Sequence, residues 1–214
     1  MEYWFLLTSF AFIGAGLKYI DSVYDEGVFD KRIAVVLGVI CGLLGGYIIA
    51  TDVTASSVAI AVVIGVAITR KIDTPVFMVA TLVAFAIPML FVKSVILNWL
   101  PIAALVFGGI VDEIGNNRAD LGMINSKVWK TFFHFRFSMQ VVMLLLVAFR
   151  VFEPVYFFAF LLFDLAYHLV GGYANRIIRG MYEFILMDTP DEIIVSRVST
   201  GTSNGMFNGG SNGL

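Results

Sequence analysis

The chain has 214 residues, of which 59% are hydrophobic and 14% charged, with a mean hydropathy of +0.90. This composition excludes an ordinary soluble globular domain and belongs with polytopic membrane proteins. The balance of 14 basic against 16 acidic residues excludes the basic face of a nucleic-acid binder, and a single cysteine, Cys41, excludes an intramolecular disulfide and any Cys-based metal motif.

The opening MEYWFLLTSFAF lacks the basic n-region and small-residue cleavage site of a secretory signal, so it reads as a first span. Crossing about 30 Å of hydrocarbon takes roughly 20 apolar residues. Seven runs approach that length: 3–20, 33–50, 53–69, 76–92, 95–111, 132–152 and 154–173. The third is crowded against the second by Thr51 and Asp52, and only Lys93 and Ser94 separate the fourth from the fifth. Helix is the element expected throughout, because backbone facing lipid must satisfy its own hydrogen bonds and no ten-residue alternation suggests a barrel. In the second run the glycines of GVICGLLGGY permit close helix packing, while Asn98 and Pro101 are read as a kink in the fifth.

Seven spans alternate the connections between two sides, and the basic residues divide twelve to two between them. Lys93 and Arg150 make up the minority, so the other side is expected to be cytoplasmic, with the N-terminus outside and the C-terminus inside. The expected organisation is an all-α, seven-helix transmembrane domain over residues 1–173, an interfacial cytoplasmic segment over 174–195 and a flexible Gly/Ser/Asn-rich tail over 196–214, in a multi-pass protein of the cell membrane. Its surrounding partner is membrane lipid.

Candidate chemistry gathers on the basic side. Three spans carry a polar pair at i, i+4 near that face: Asp21 with Asp25, Asp112 with Asn116, and Asp164 with His168. On a helix this spacing puts both side chains on one face. Asp164 is singled out because no loop accounts for a carboxylate inside FFAFLLFDLAYHLVGGY, and an ionisable group at membrane depth costs several kcal/mol unless it faces a partner or water. Arg136 is expected at a similar level to His168, with Gln140 one turn deeper, since the short turn at Glu153–Pro154 makes the last two spans antiparallel neighbours. His134 reads as an interfacial anchor, Arg150 with Glu153 as a pair on the outer surface, and Glu26, Asp30, Glu113 and Asp120 as solvated loop acids.

Carboxylates at a membrane surface beside bases are what a magnesium–phosphate site requires. The expected roles are Asp21, Asp25, Asp112 and Asn116 for magnesium, Lys18, Lys71 and Arg136 for phosphate, and Asp164 and His168 for catalysis, with His168 moving a proton. The leading expectation is a membrane-embedded, metal-dependent enzyme, such as a transferase, acting on a lipid or isoprenoid phosphate at the cytoplasmic face. The alternative is a cation- or proton-coupled transporter or channel built on Asp164 and His168. A third reading makes the charges structural pairs in a packing protein.

Across nine residues, DEIGNNRAD resembles in spacing the first Asp-rich motif of UbiA-type prenyltransferases, NDxxDxxxD, through Asp112, Glu113, Asn116 and Asp120. The resemblance implies an analogous chemistry, magnesium chelation on a prenyl diphosphate. It departs from that family in length, being short for nine spans, and in the second Asp-rich motif, which Asp21–Asp25 would have to supply out of order.

Overall fold

The computed structural model describes residues 2–68, 74–91, 97–124, 126–134 and 137–188. Its regular elements are all helical, with no strand among the described residues: α1 Tyr3–Asp21, α2 Lys31–Thr51, α3 Val53–Ile68, α4 Pro75–Phe91, α5 Trp99–Asp120, α6 Lys127–His134, α7 Phe137–Ala148 and α8 Pro154–Asp188. A π-helical turn, Ser22–Glu26, extends α1.

Among the described residues, four helical stretches are long and apolar enough to cross a membrane, and a fifth is obtained if the bent pair α6 and α7 counts as one span. These features are consistent with a membrane protein. Among the described residues, the apolar runs expected as third and fourth spans form helices of 16 and 17 residues, which end where the described residues do, against the roughly 20 that a span takes. In place of one continuous sixth span, Lys127–Phe133 and Phe137–Ala148 are bent from each other by 68°. The last helix does not end with the seventh apolar run at Tyr173 but runs on to Asp188.

Local chemistry explains the boundaries. Asp30 caps α2 by accepting the Arg32 N–H at 2.6 Å. Asp52, the one residue between α2 and α3, has extended backbone, and its Oδ1 accepts the N–H groups of Thr54 and Ala55 at 3.0 and 2.9 Å. Pro75 and Pro154 stand first in α4 and α8, where a missing N–H costs nothing. Asn98 is the N-cap of α5 and Pro101 lies in its first turn, so they start that helix instead of kinking it.

Tyr173–Leu214 separate from Met1–Gly172 as a compact unit of their own; in that unit 173–188 are helical, and the tail expected over 196–214 lies outside the described residues. Within Met1–Gly172, glycine sets the closest helix contacts. A Cβ on Gly42 of α2 would stand 2.7 Å from the Ala80 carbonyl of α4, and one on Gly46 would stand 3.0 Å from the Ala84 carbonyl. Gly14 of α1 likewise abuts the Phe163 backbone of α8. The largest buried cluster joins Leu6, Phe10, Leu105, Met143, Leu146 and Phe160.

Candidate functional site

Four helices contribute to one connected polar belt. It begins at the break between α6 and α7. A helix N-terminus leaves its first N–H groups without intrahelical partners. Here the Asp112 carboxylate, reaching across from α5, accepts the Ser138 N–H on Oδ1 and the Met139 N–H on Oδ2, both at 2.9 Å. Asp112 is 2% exposed, so its carboxyl group is held against the positive end of α7 with little access to water. The approach depends on Gly108, one turn back along α5, where a Cβ would stand 3.2 Å from the Met139 Cα.

One residue further along α7, Gln140 donates from Nε2 to the Asp164 carboxylate of α8 at 2.8 Å. The other carboxylate oxygen lies 3.6 Å from His168 Nε2, an ion-pair distance when the imidazole is protonated. The expected helical pair therefore forms, and the Gln140 contact makes α7 and α8 neighbours at this level.

The next tier joins α8 to α1. Tyr167 donates its hydroxyl to Asp21 Oδ2 at 3.2 Å, and Lys18 Nζ reaches the same oxygen at 2.9 Å and Glu26 Oε1 at 3.3 Å. The lysine also lies 5.7 Å from the Tyr167 ring centroid. Its stem runs over Gly171, where a Cβ would meet Lys18 Cε at 3.0 Å, so this glycine makes room for the base instead of ending the helix. Asp21 is buried and Lys18 largely so.

Several expectations take a different form. Asp25 is exposed, while Glu26, expected as a loop acid, joins the belt. The π-helical turn is responsible, since it bonds the Gly27 N–H to the Ser22 carbonyl five residues back and moves the face by one residue. Asn116 sits half-buried one turn beyond Asp112 on α5. Arg136 and Lys71, expected on the phosphate, lie outside the described residues, as does the His134 side chain. At the other end of the unit, Glu153 accepts from Tyr3 at 3.1 Å instead of pairing with Arg150, and Asp52 accepts from Tyr156 at 2.8 Å. Residues 149–152 form a turn, so the i, i+3 spacing of Arg150 and Glu153 has no helical meaning.

Among the described residues no three His, Cys, Asp or Glu side chains gather into a group able to hold a metal. Asp21 is engaged with Lys18 and Tyr167, and Asp112 with the start of α7. Sequence reasoning assigned no role to Tyr167, whose only signal was its place one turn from Phe163 and beside His168. An apolar cavity of about 80 Å³ adjoins the belt, its walls including Phe10, Leu17, Cys41, Phe77, Ala80 and Phe163. Leu17 is four residues before Asp21 and Phe163 four before Tyr167, so the cavity wall and the Asp21–Tyr167 contact share faces of α1 and α8.

The fold and belt define a helical chain with membrane-crossing potential and a buried, acid-rich polar centre. No family of known proteins, no curated protein and no solved structure matches it.

Proposed function

We propose that the chain is a membrane-embedded enzyme acting on a lipid or isoprenoid phosphate at the cytoplasmic face, with seven spans, the short α3 and α4 included, an external N-terminus and a cytoplasmic C-terminus. The observation that carries the reading is the one-sidedness of the belt. Lys18, Asp21, Glu26, Gln140, Asp164, Tyr167 and His168 form two adjoining tiers. Beyond them, along α7, the turn after it and α8, stand the buried apolar side chains of Met143, Leu146, Phe152, Ala159 and Phe160. A polar centre closed on one side suits a substrate that enters and leaves on the other.

In this proposal Lys18 holds a phosphate oxygen, together with Arg136 and Lys71. His168, oriented by Asp164, holds or moves a proton, its ordinary pKa lying near neutrality. The apolar cavity accepts the first carbons of the substrate chain. Magnesium remains part of the proposal as an ion that accompanies the phosphate, because it takes one or two carboxylates and keeps several waters instead of requiring an all-protein cage. Asp21, Asp25, Asp112 and Asn116 are its candidate ligands, and it would supply charge neutralisation on the phosphate.

The test is turnover of lipid and polyprenyl phosphates by the full chain in nanodiscs with magnesium present. Asp164→Asn and His168→Gln are expected to lower the rate by about 100-fold or more, the scale of general acid–base catalysis. Unchanged turnover in both would sink the reading.

Transport is the second reading, favoured by the burial of Asp164, 7% exposed, within the long apolar helix α8. It requires proton or cation flux across liposomes that disappears in Asp164→Asn.

A further inference from the structure

Helix α6 and the turn that leads into it present a surface that the proposed reaction does not use. Within α6, Lys127, Lys130 and Thr131 lie on one helical face, and Val128, Trp129, Phe132 and Phe133 on the other. Phe133 is seated against Gly115 of α5, and Trp129 stacks on Phe133 with ring centroids 5.9 Å apart. This anchors the inner half of the aromatic face. Its outer half is open, with Trp129 54% and Val128 76% exposed. The turn leading into α6 adds Leu121 and Met123, each more than 70% exposed. In a water-soluble setting these side chains would form a costly apolar patch.

Charge indicates what covers them. From Asn117 to Thr131 the chain carries Arg118, Lys127 and Lys130 against the single acid Asp120, and all three bases are exposed. A helix with an aromatic face and a lysine face fits the boundary between headgroups and acyl chains. The direction of α6 agrees, since a segment bent by 68° from α7 runs nearer the bilayer plane when α7 crosses it. We propose that α6 and the α5–α6 turn form a docking surface for anionic lipid headgroups. Trp129, Leu121 and Met123 enter the acyl boundary while Lys127, Lys130 and Arg118 hold the headgroup phosphates.

The test uses the full-length protein carrying W4F and W99F, which leaves Trp129 as the only one of three tryptophans. It is placed in nanodiscs of phosphatidylcholine with a minority of phosphatidylglycerol, one or the other lipid carrying bromine near the headgroup end of its acyl chains. At equal mole fraction, brominated phosphatidylglycerol is expected to quench Trp129 more strongly. The preference should be about fivefold per basic residue at the surface. K127Q/K130Q is expected to cut the preference to about the fivefold that Arg118 alone supplies, R118Q/K127Q/K130Q to bring the two lipids to parity, and K127R/K130R to keep the preference. No quenching by either lipid would overturn the proposal and mean that protein, such as a second copy, covers the face. Equal quenching by both lipids in the parent would also overturn it, as would loss of preference in the arginine variant.

Discussion

Replacing Asp112 with alanine removes both acceptors that cap α7. The carboxylate takes two backbone N–H groups at 2.9 Å and is 2% exposed, and Met139 is buried, so that donor gains little water when the carboxylate is lost, while the Ser138 N–H is only part-buried. Hydrogen bonds to a charged group are worth about 1.5–3 kcal/mol each, and losing an ordinary N-cap costs about 0.5–2 kcal/mol. The two bonds share one side chain and the first turn of α7 can relax, so the sum is an upper bound, and about 3 kcal/mol is expected for Asp112→Ala. Asp112→Asn should lose less, about 1–2 kcal/mol, because its carbonyl keeps one acceptor while its amide faces the second N–H as a competing donor. The assay is unfolding in nanodiscs or mild detergent by steric trapping, paired with amide exchange at Ser138 and Met139. Those two amides should exchange faster in the alanine variant before α8 loosens. A stability change below about 0.5 kcal/mol, with both amides still protected, would refute the capping argument.

Lys18→Met should be harsher than its size suggests, by about 2 kcal/mol in thermal or chemical unfolding, because the buried Asp21 carboxylate and the part-buried Glu26 would both lose the Lys18 amine. The double variant K18M/D21N should recover part of that loss. Gly46→Leu should separate α2 from α4 and lower stability by more than about 2 kcal/mol, since an added Cβ alone would stand 2.8 Å from Ile87 Cδ1 and 3.0 Å from the Ala84 carbonyl. Gln140→Leu and Asp164→Asn should couple by about 1–2 kcal/mol in a double-mutant cycle, reporting the 2.8 Å bond between α7 and α8. Additive effects would mean the two residues do not depend on each other.

The helical character of the chain was legible because long apolar runs leave backbone in lipid no alternative, and the Asp164–His168 pair was legible because α8 is continuous through both residues. The place of Glu26 beside Lys18 was hidden for the opposite reason. An i, i+4 inference assumes α periodicity, and Ser22–Glu26 is π-helical, which brings Glu26 within reach of the Lys18 amine. Nothing in KTFFHFRFSM announces a helix break, for the segment contains neither glycine nor proline. The capping contact of Asp112 was therefore hidden, since nothing in the sequence links a carboxylate to the start of a helix 26 residues further on. The shortness of α3 and α4 could be read from spacing, but whether a 16-residue helix crosses a bilayer depends on its neighbours more than on its own residues.

Depth ties these contacts to the choice between catalysis and transport. The Tyr3–Glu153 hydrogen bond aligns the starts of α1 and α8. From that level Asp164 is about 16 Å along α8 and Asp21 about 27 Å along α1, at 1.5 Å per residue. The two acids thus occupy different tiers, and the long Tyr167 side chain spans the difference to reach Asp21. In an enzyme this slope separates roles: the outer tier of Lys18 and Asp21 binds the charged headgroup, and the deeper tier of Asp164 and His168 acts on bonds closer to the hydrocarbon. Lys18→Gln should then raise KM with little change in kcat, while His168→Gln should lower kcat with KM nearly constant. A transporter would pass its cation through both tiers, so each variant would slow flux and neither would separate binding from turnover. Measuring both parameters for both variants in one nanodisc preparation decides between them, and a parallel loss of kcat in the two variants would refute the two-tier division of labour.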